Sequence, residues 1–272
     1  SIITAVIATD EVISAADLAY LNNLTTGQIN FSGLGADNSI SGSYADIKSA
    51  YDGGVHTDIE GATIGATVTG TITAAEQVIL DGLTAGVITA TISDTSYTGK
   101  LANIADRGAT NHNLTITLDD ASVNAADVIT LVGKTAGLIT VNTSELKGSN
   151  ADVATVLGHN NGTGVVTGLS STPVTLNAGA TTALAAANTI NGLTSGPITA
   201  SITETSLTDL AGLQGTGNNY TITVSTPASV SASALNALNA KTTGVITVGS
   251  TTITGFLSDI KAAYDANTAG EL

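Results

Sequence analysis

The sequence predicts an α/β fold: a repeat solenoid in which strands and short helices alternate and the strands form a parallel sheet. Three observations carry this reading. A block of about 18 residues recurs five times without a gap, at a period of roughly 48–59 residues. Each block passes from helical to strand-like spacing of its apolar residues. The composition is 42% hydrophobic but only 3% aromatic and 11% charged, so Ala, Val, Ile, Leu and Thr must do the packing, and small side chains suit regular stacked layers. An open α/β parallel sheet is the alternative layout. A doubly wound sheet would also carry a glycine-rich phosphate loop, and the chain has none.

The copies read ISAADLAYLNNLTTGQIN, ITAAEQVILDGLTAGVIT, VNAADVITLVGKTAGLIT, TALAAANTINGLTSGPIT and VSASALNALNAKTTGVIT. Their turn glycines are Gly27, Gly86, Gly137, Gly196 and Gly244. Thr stands two residues before each (Thr25, Thr84, Thr135, Thr194, Thr242), and Ile two residues after (Ile29, Ile88, Ile139, Ile198, Ile246). Ahead of the first copy, SIITAVIATD is apolar, too short to span a bilayer, and reads as a strand. Thr73-Ala-Ala-Glu76 has the order of a capping box, a hydroxyl at the helix start and an acid three residues on. Ser14-Ala-Ala-Asp17 and Asn124-Ala-Ala-Asp127 follow the same plan, whereas the last two copies carry Ala186 and Ala234 where the acid would be. Apolar residues then follow at helical spacing: Leu18, Leu21 and Leu24; Val78, Leu80 and Leu83; Val128 and Leu131. The turn glycine is expected to stop the helix in a left-handed conformation. Period-two strands come next, at 87–92, 138–142, 197–202 and 244–248, with Ile88, Ala90 and Ile92 toward the helices and Thr89 and Thr91 outward.

A second, shorter unit lies between the copies. Its predicted helices cover 43–52, 100–108, 150–158, 207–215 and 256–265, and its strands cover 113–118, a stretch from 163 onward, and 220–224. Strand and helix thus alternate about every 25 residues, a rhythm that favours parallel pairing through right-handed crossovers. Residues 1–272 read as a single elongated repeat domain, with repeats at approximately 11–65, 66–118, 119–177, 178–225 and 226–272.

Charge narrows the function. The net charge is −15, with 7 basic residues and Arg107 the single arginine, which excludes nucleic acid and anionic membrane surfaces as partners. There is no run of about 20 apolar residues, so no membrane insertion is expected. The absence of Cys removes thiol catalysis, disulfides and thiolate metal sites. The absence of Met marks a processed product or a piece of a longer chain, and a chain poor in both residues resists oxidation.

The three histidines, His56, His112 and His159, lie far apart in loop-like segments, read as exposed, and none has a Ser/His/Asp context. With no GxSxG elbow, P-loop, HExxH or helix-opening GxGxxG, the chain is not expected to be an enzyme. The candidate metal ligands are Asp94 after VITATIS, Asp119 and Asp120 after NLTITL, and Glu204 after PITASIT. Oxygen-rich loops of this kind suit calcium, although the EF-hand order and the GGxGxD nonapeptide are absent and Asp also caps helices and makes turns without a metal.

The Thr-x-Gly-x-Ile repeat, the Thr/Ala/Asn/Gly bias, the acidity and the lack of Cys resemble repeat regions of very large secreted bacterial surface proteins, cyanobacterial and RTX-type ones among them; phage fibre and appendage proteins share the style. That resemblance implies an extracellular or cell-surface protein with a structural or adhesive role in a fibre, surface layer or appendage. A solenoid ends in open strand edges. Because SIITAVIATD has no polar cap before it, Ile2, Ile3, Val6 and Ile7 are expected to mediate head-to-tail self-association, with another copy or with further repeats of a longer chain. The alternative function is an extracellular binding module for glycan or ice. The threonines of 71–73, 89–91, 115–117 and 221–223 would form ladders resembling those of ice-binding solenoids, though Thr is also simply a good strand former. A glycan site is disfavoured by the absence of Trp.

Overall fold

The structure is a computed structural model that describes residues 5–6, 12–24, 29–30, 38–52, 64–107, 111–162, 164–177, 179–225, 228–249 and 252–272. It is an α/β fold with parallel strand pairing and alternating strands and helices. The chain forms two compact units, one of Ser1–Asp120 with Thr130–Val141 and one of Ala121–Ile129 with Asn142–Leu272.

In the first unit, strands Ile13–Ser14, Ser39–Gly42, Gly65–Ile72, Ile88–Ile92, Asn113–Leu118 and Ile139–Val141 lie side by side in that order. In the second, the order is Ser122–Asn124, Glu145–Gly148, Val174–Leu176, Ile198–Ile202, Asn219–Val224 and Ile246–Val248. Thr181–Thr182 also pairs with Ile198–Ile202, and Val230–Ser231 pairs with Ile253–Thr254. Sheet order therefore follows chain order. Partners sit roughly two dozen residues apart in sequence: Ile116 faces Ile139, and Ile222 faces Ile246. Parallel neighbours need a crossover of about this length. The period-two pattern is realised: Ile88, Ala90 and Ile92 are buried, Thr91 is exposed and Thr89 half-buried.

Three of the crossover helices bury a single line of residues at every third position. The lines are Ala74, Gln77 and Leu80; Ala125, Val128 and Leu131; and Ala232, Leu235 and Leu238. Leu18, Leu80, Val128 and Leu131 of the predicted apolar stripe are buried as expected, and the rest of it is corrected. Val78 is 41% exposed and Leu24 65% exposed, while Gln77 is fully buried. A helix of about ten residues laid on one sheet face turns only one narrow row inward, so its remaining apolar residues meet solvent. The Gln77 Oε1 accepts the Ala105 N–H at 2.9 Å, while its buried Nε2 has no hydrogen-bond partner among the described residues.

The predicted capping box is present. The Thr73 hydroxyl accepts from Glu76 N at 3.2 Å, and the Glu76 carboxylate accepts from Thr73 N at 2.7 Å. Ser14 accepts from Asp17 N and Asn124 from Ala126 N, each at 3.2 Å. In the fifth copy the Ser231 hydroxyl accepts from Ala234 N at 3.4 Å.

Two predicted helices are much shorter than expected. Residues 100–108 yield one 3-10 turn, Leu101–Asn103, and 207–215 yield Leu207–Leu210. Gly99, at positive φ, lies just before the first segment, and Gly215, at positive φ, closes the second with backbone a helix cannot use. The other three appear as Tyr44–Asp52, Asn150–Asn161 and Leu257–Ala269. The strand expected from 163 is only Val166–Thr167. Of the predicted first strand, Ala5–Val6 is described and pairs in parallel with Ile29–Asn30. Among the described residues no helix is long and apolar enough to cross a membrane.

Candidate functional site: the Thr-x-Gly turns, a buried histidine, the acidic loops and an edge groove

The repeated threonine stitches each turn onto the preceding strand. Thr135, 3% exposed, accepts on Oγ1 from Leu114 N at 2.7 Å and Gly137 N at 2.9 Å. Its one proton reaches the carbonyls of His112 and Leu114, both at 3.0 Å, so the hydroxyl uses its full capacity on buried backbone. Thr242 repeats the set with Tyr220 N at 2.8 Å, Gly244 N at 2.9 Å, and the Asn218 and Tyr220 carbonyls at 3.1 and 3.0 Å. Thr84 accepts from Gly86 N at 2.9 Å and donates to the Ile64 carbonyl. Thr194 is half-buried and makes the weaker version, with Gly196 N at 3.0 Å and the Ser170 carbonyl at 3.3 Å.

The glycine has a different role from the helix stop expected of it. Gly86, Gly137, Gly196 and Gly244 are not among the residues with positive φ. A Cβ there would lie 2.3 Å from the Ile64 carbonyl, 2.2 Å from Leu114 O, 2.1 Å from Thr172 O and 2.4 Å from Tyr220 O, respectively. Close approach of two backbones, not handedness, excludes every larger residue. Thr25 and Gly27 lie outside the described residues.

A partial sixth copy escaped the sequence reading: Thr268-Ala269-Gly270-Glu271-Leu272. The Glu271 carbonyl accepts from Ile246 N at 2.9 Å, as Val245 O accepts from Ile222 N at 3.1 Å and Leu138 O from Ile116 N at 2.9 Å. The Thr-x-Gly-x-Leu spelling was the available signal; Leu in place of Ile hid it.

His112 corrects the expectation of exposed loop histidines, since it is fully buried. Its Nδ1 accepts from Ile88 N at 3.0 Å, which puts the proton on Nε2, directed at Asp81 Oδ1 at 2.9 Å. Arg107 closes the cluster by donating to the Asp81 carboxylate and to the Asp81 and Thr84 carbonyls. Burial holds the imidazole below its ordinary pKa, against the opposing pull of Asp81. The second unit carries the same relay without charge. Asn218 Oδ1 accepts from Ile198 N at 2.8 Å, and its Nδ2 donates to Asn191 Oδ1 at 3.0 Å. Asn191 and Asp81 occupy the same place, three residues before the repeated threonine. That equivalence makes His112 a structural acceptor for a strand N–H. His159 is half-buried on helix Asn150–Asn161, and His56 lies outside the described residues.

The four acidic candidates are spread over both units: Asp94, Asp119 and Asp120 in the first, Glu204 in the second. Asp94 accepts from Ala74 N at 2.8 Å and pairs with Lys100 at 2.9 Å. Lys100, then the Ala74 N–H, holds its carboxyl below the usual range. Glu204 accepts from Leu184 N at 2.8 Å and so supplies the cap that Ala183 cannot. Asp94 and Glu204 stand at equivalent positions, after Ile88 and Ile198, and each caps the helix one crossover earlier. Asp120 accepts from Ser96 Oγ at 2.8 Å and Tyr97 N at 2.9 Å, while Asp119 donates its own N–H to the Thr95 carbonyl at 2.9 Å. Among the described residues no three His, Asp or Glu side chains converge as a metal site.

The outward threonines run in partial register. Thr67 faces Thr89, and Thr71, Thr91 and Thr115 form one row; Asn113 opposite Thr89 and Asn219 opposite Thr199 interrupt others. Of the predicted assembly residues, Ile2, Ile3 and Ile7 lie outside the described residues, and Val6 belongs to strand Ala5–Val6. In the second unit a groove of about 410 Å³ borders strand Ile246–Val248, walled by Leu235, Val248, Ile253, Ala263, Tyr264 and Leu272. No family model, curated protein or solved structure matches the chain.

Proposed function

We propose that the chain is a structural repeat protein that self-associates into an extracellular fibre, surface layer or appendage, and that each of its two units is a stretch of α/β solenoid. The reading rests above all on the recurrence of one bond set, Thr hydroxyl to preceding strand and glycine against backbone, in both units. Such a joint ties each layer to the one before it and repeats as often as the layer does, which is how a quasi-one-dimensional array gains stability. The acidic loops serve the same end by capping neighbouring helices. A net charge of −15 opposes association at low salt, and screening by salt or by calcium at the acidic surface relieves it.

Sedimentation of the purified chain over a concentration series, at low and at moderate salt, tests the reading. Growth of the particle with concentration and with salt is the expected result; a single species of 26.7 kDa throughout overturns it. The in-register threonines Thr71, Thr91 and Thr115 favour the second reading, an ice-binding face. Thermal hysteresis by a non-associating chain would establish that reading instead.

A further inference from the structure

We propose that His112 is an acid-operated latch: its neutral ring closes the joint between strands Ile88–Ile92 and Asn113–Leu118, and protonation releases that joint while the matching joint in the second unit stays shut. The inference is independent of self-association.

Four strand N–H groups are held by a side chain of the following layer. Ile88 N donates to His112 Nδ1 at 3.0 Å, Leu114 N to Thr135 Oγ1 at 2.7 Å, Ile198 N to Asn218 Oδ1 at 2.8 Å and Tyr220 N to Thr242 Oγ1 at 2.8 Å. Hydroxyl and amide oxygens accept at neutral and mildly acid pH alike, whereas an imidazole does not. Once the ring is protonated both of its nitrogens carry hydrogen. Nδ1 then turns from acceptor to donor with the Ile88 N–H still directed at it. Two donors 3.0 Å apart repel, and a buried N–H is left without a partner. The charged ring therefore does not fit the closed joint and swings out to water, where it titrates at about 6.5.

The groups facing the ring keep it neutral while the joint is closed. From helix Ala74–Leu83, Asp81 Oδ1 meets Nε2 at 2.9 Å. Ahead of His112 in the chain stand Arg107, bound to that same carboxylate, and Asp106. From helix Ala125–Lys134, Lys134 is committed to the Ala102 and Ile104 carbonyls at 2.9 and 2.8 Å. Strand Ile88–Ile92 brings no titratable residue. Burial is the strongest influence and opposes the charge; Asp81 and Asp106 favour it, and Arg107 opposes it. Closure is therefore complete above the free imidazole value and weakens as pH falls below it, by up to about tenfold in the closed-to-open ratio per pH unit. Asn218 and Asn191 build the same relay from groups that do not titrate, so the second unit is the internal control.

The test is amide hydrogen exchange of the full chain, read by NMR at Ile88 and Ile198 and corrected for the intrinsic pH dependence of exchange. The window runs from about pH 7 to about pH 5.5, above the ordinary carboxylate range. Ring nitrogen shifts in the same sample report the tautomer of His112. The expected result is an Nε2–H tautomer at neutral pH, protection at Ile88 that falls about tenfold by about pH 5.5, and unchanged protection at Ile198. In the double variant Asp81→Asn, His112→Asn that fall should disappear. An Nδ1–H tautomer, protection at Ile88 that merely tracks Ile198, or a fall that survives in the folded double variant overturns the proposal. Should the double variant not fold, the two wild-type readouts decide the matter by themselves.

Discussion

Replacing Thr135 by Val deletes one hydroxyl and keeps the β-branched shape. The structure assigns that hydroxyl two accepted bonds, from Leu114 N and Gly137 N, and one donated proton, all inside a turn where Thr135 is 3% exposed. Two backbone N–H groups would lose their acceptor with no access to water. An orphaned buried group costs about 1–3 kcal/mol, so the pair predicts a loss of about 2–6 kcal/mol, a large share of the ~5–15 kcal/mol by which a domain is stable. Thr194→Val is the internal control. Its hydroxyl holds only Gly196 N and a long bond to Ser170 O in a half-buried turn, where water can replace it, so about 1 kcal/mol is expected. Urea unfolding of both variants reads the difference as a shift in midpoint at constant slope. Equal losses within about 0.5 kcal/mol would refute the claim that the repeated threonine acts by satisfying buried backbone.

Glycine substitutions should separate by position. Gly137→Ala drives a Cβ to 2.2 Å from a backbone oxygen and should cost about 3 kcal/mol, whereas Gly133→Ala, on helix Ala125–Lys134 with nothing within 4 Å, should gain about 1 kcal/mol; thermal melts distinguish them. The buried imidazole makes the first unit acid-sensitive. His112 is neutral when folded and faces Asp81, Arg107 and Asp106, so its contribution is complete above the unfolded value of about 6.5 and is lost as pH falls below it. The double variant Asp81→Asn, His112→Asn, which copies the Asn191–Asn218 pair, should flatten the stability profile below about pH 6.5. Asp94 and Glu145, held low by Lys100 and by the Thr175 and Ser122 hydroxyls, add stability that is present above the unfolded carboxyl range and lost as pH falls through their lowered values. Asp94→Asn should shrink that acid loss in a pH titration of the melting temperature.

Much of the fold was legible because the repeat writes its periods plainly. The Thr73–Glu76 box, the alternation of Ile88, Ala90 and Ile92, and parallel pairing about two dozen residues apart all follow from local spacing. What the spacing could not convey is what lies one layer away. Gly137 reads as a helix stop until Leu114 is seen against it, and the bonds from Asp94 and Glu204 to the helix starts at Ala74 and Leu184 join residues twenty apart in sequence. His112 looked like a loop residue because its partners, Ile88 and Asp81, are more than twenty residues away in sequence. Gln77 in a buried line is invisible to periodicity for the same reason, since the N–H its Oε1 accepts comes from Ala105 in another segment.

Negative-stain electron microscopy of the purified chain, above the concentration at which it associates, tests the central claim most directly. The account predicts filaments or sheets with a regular axial repeat. Isolated particles of one size at every concentration and salt, from a chain shown to be folded, would contradict it.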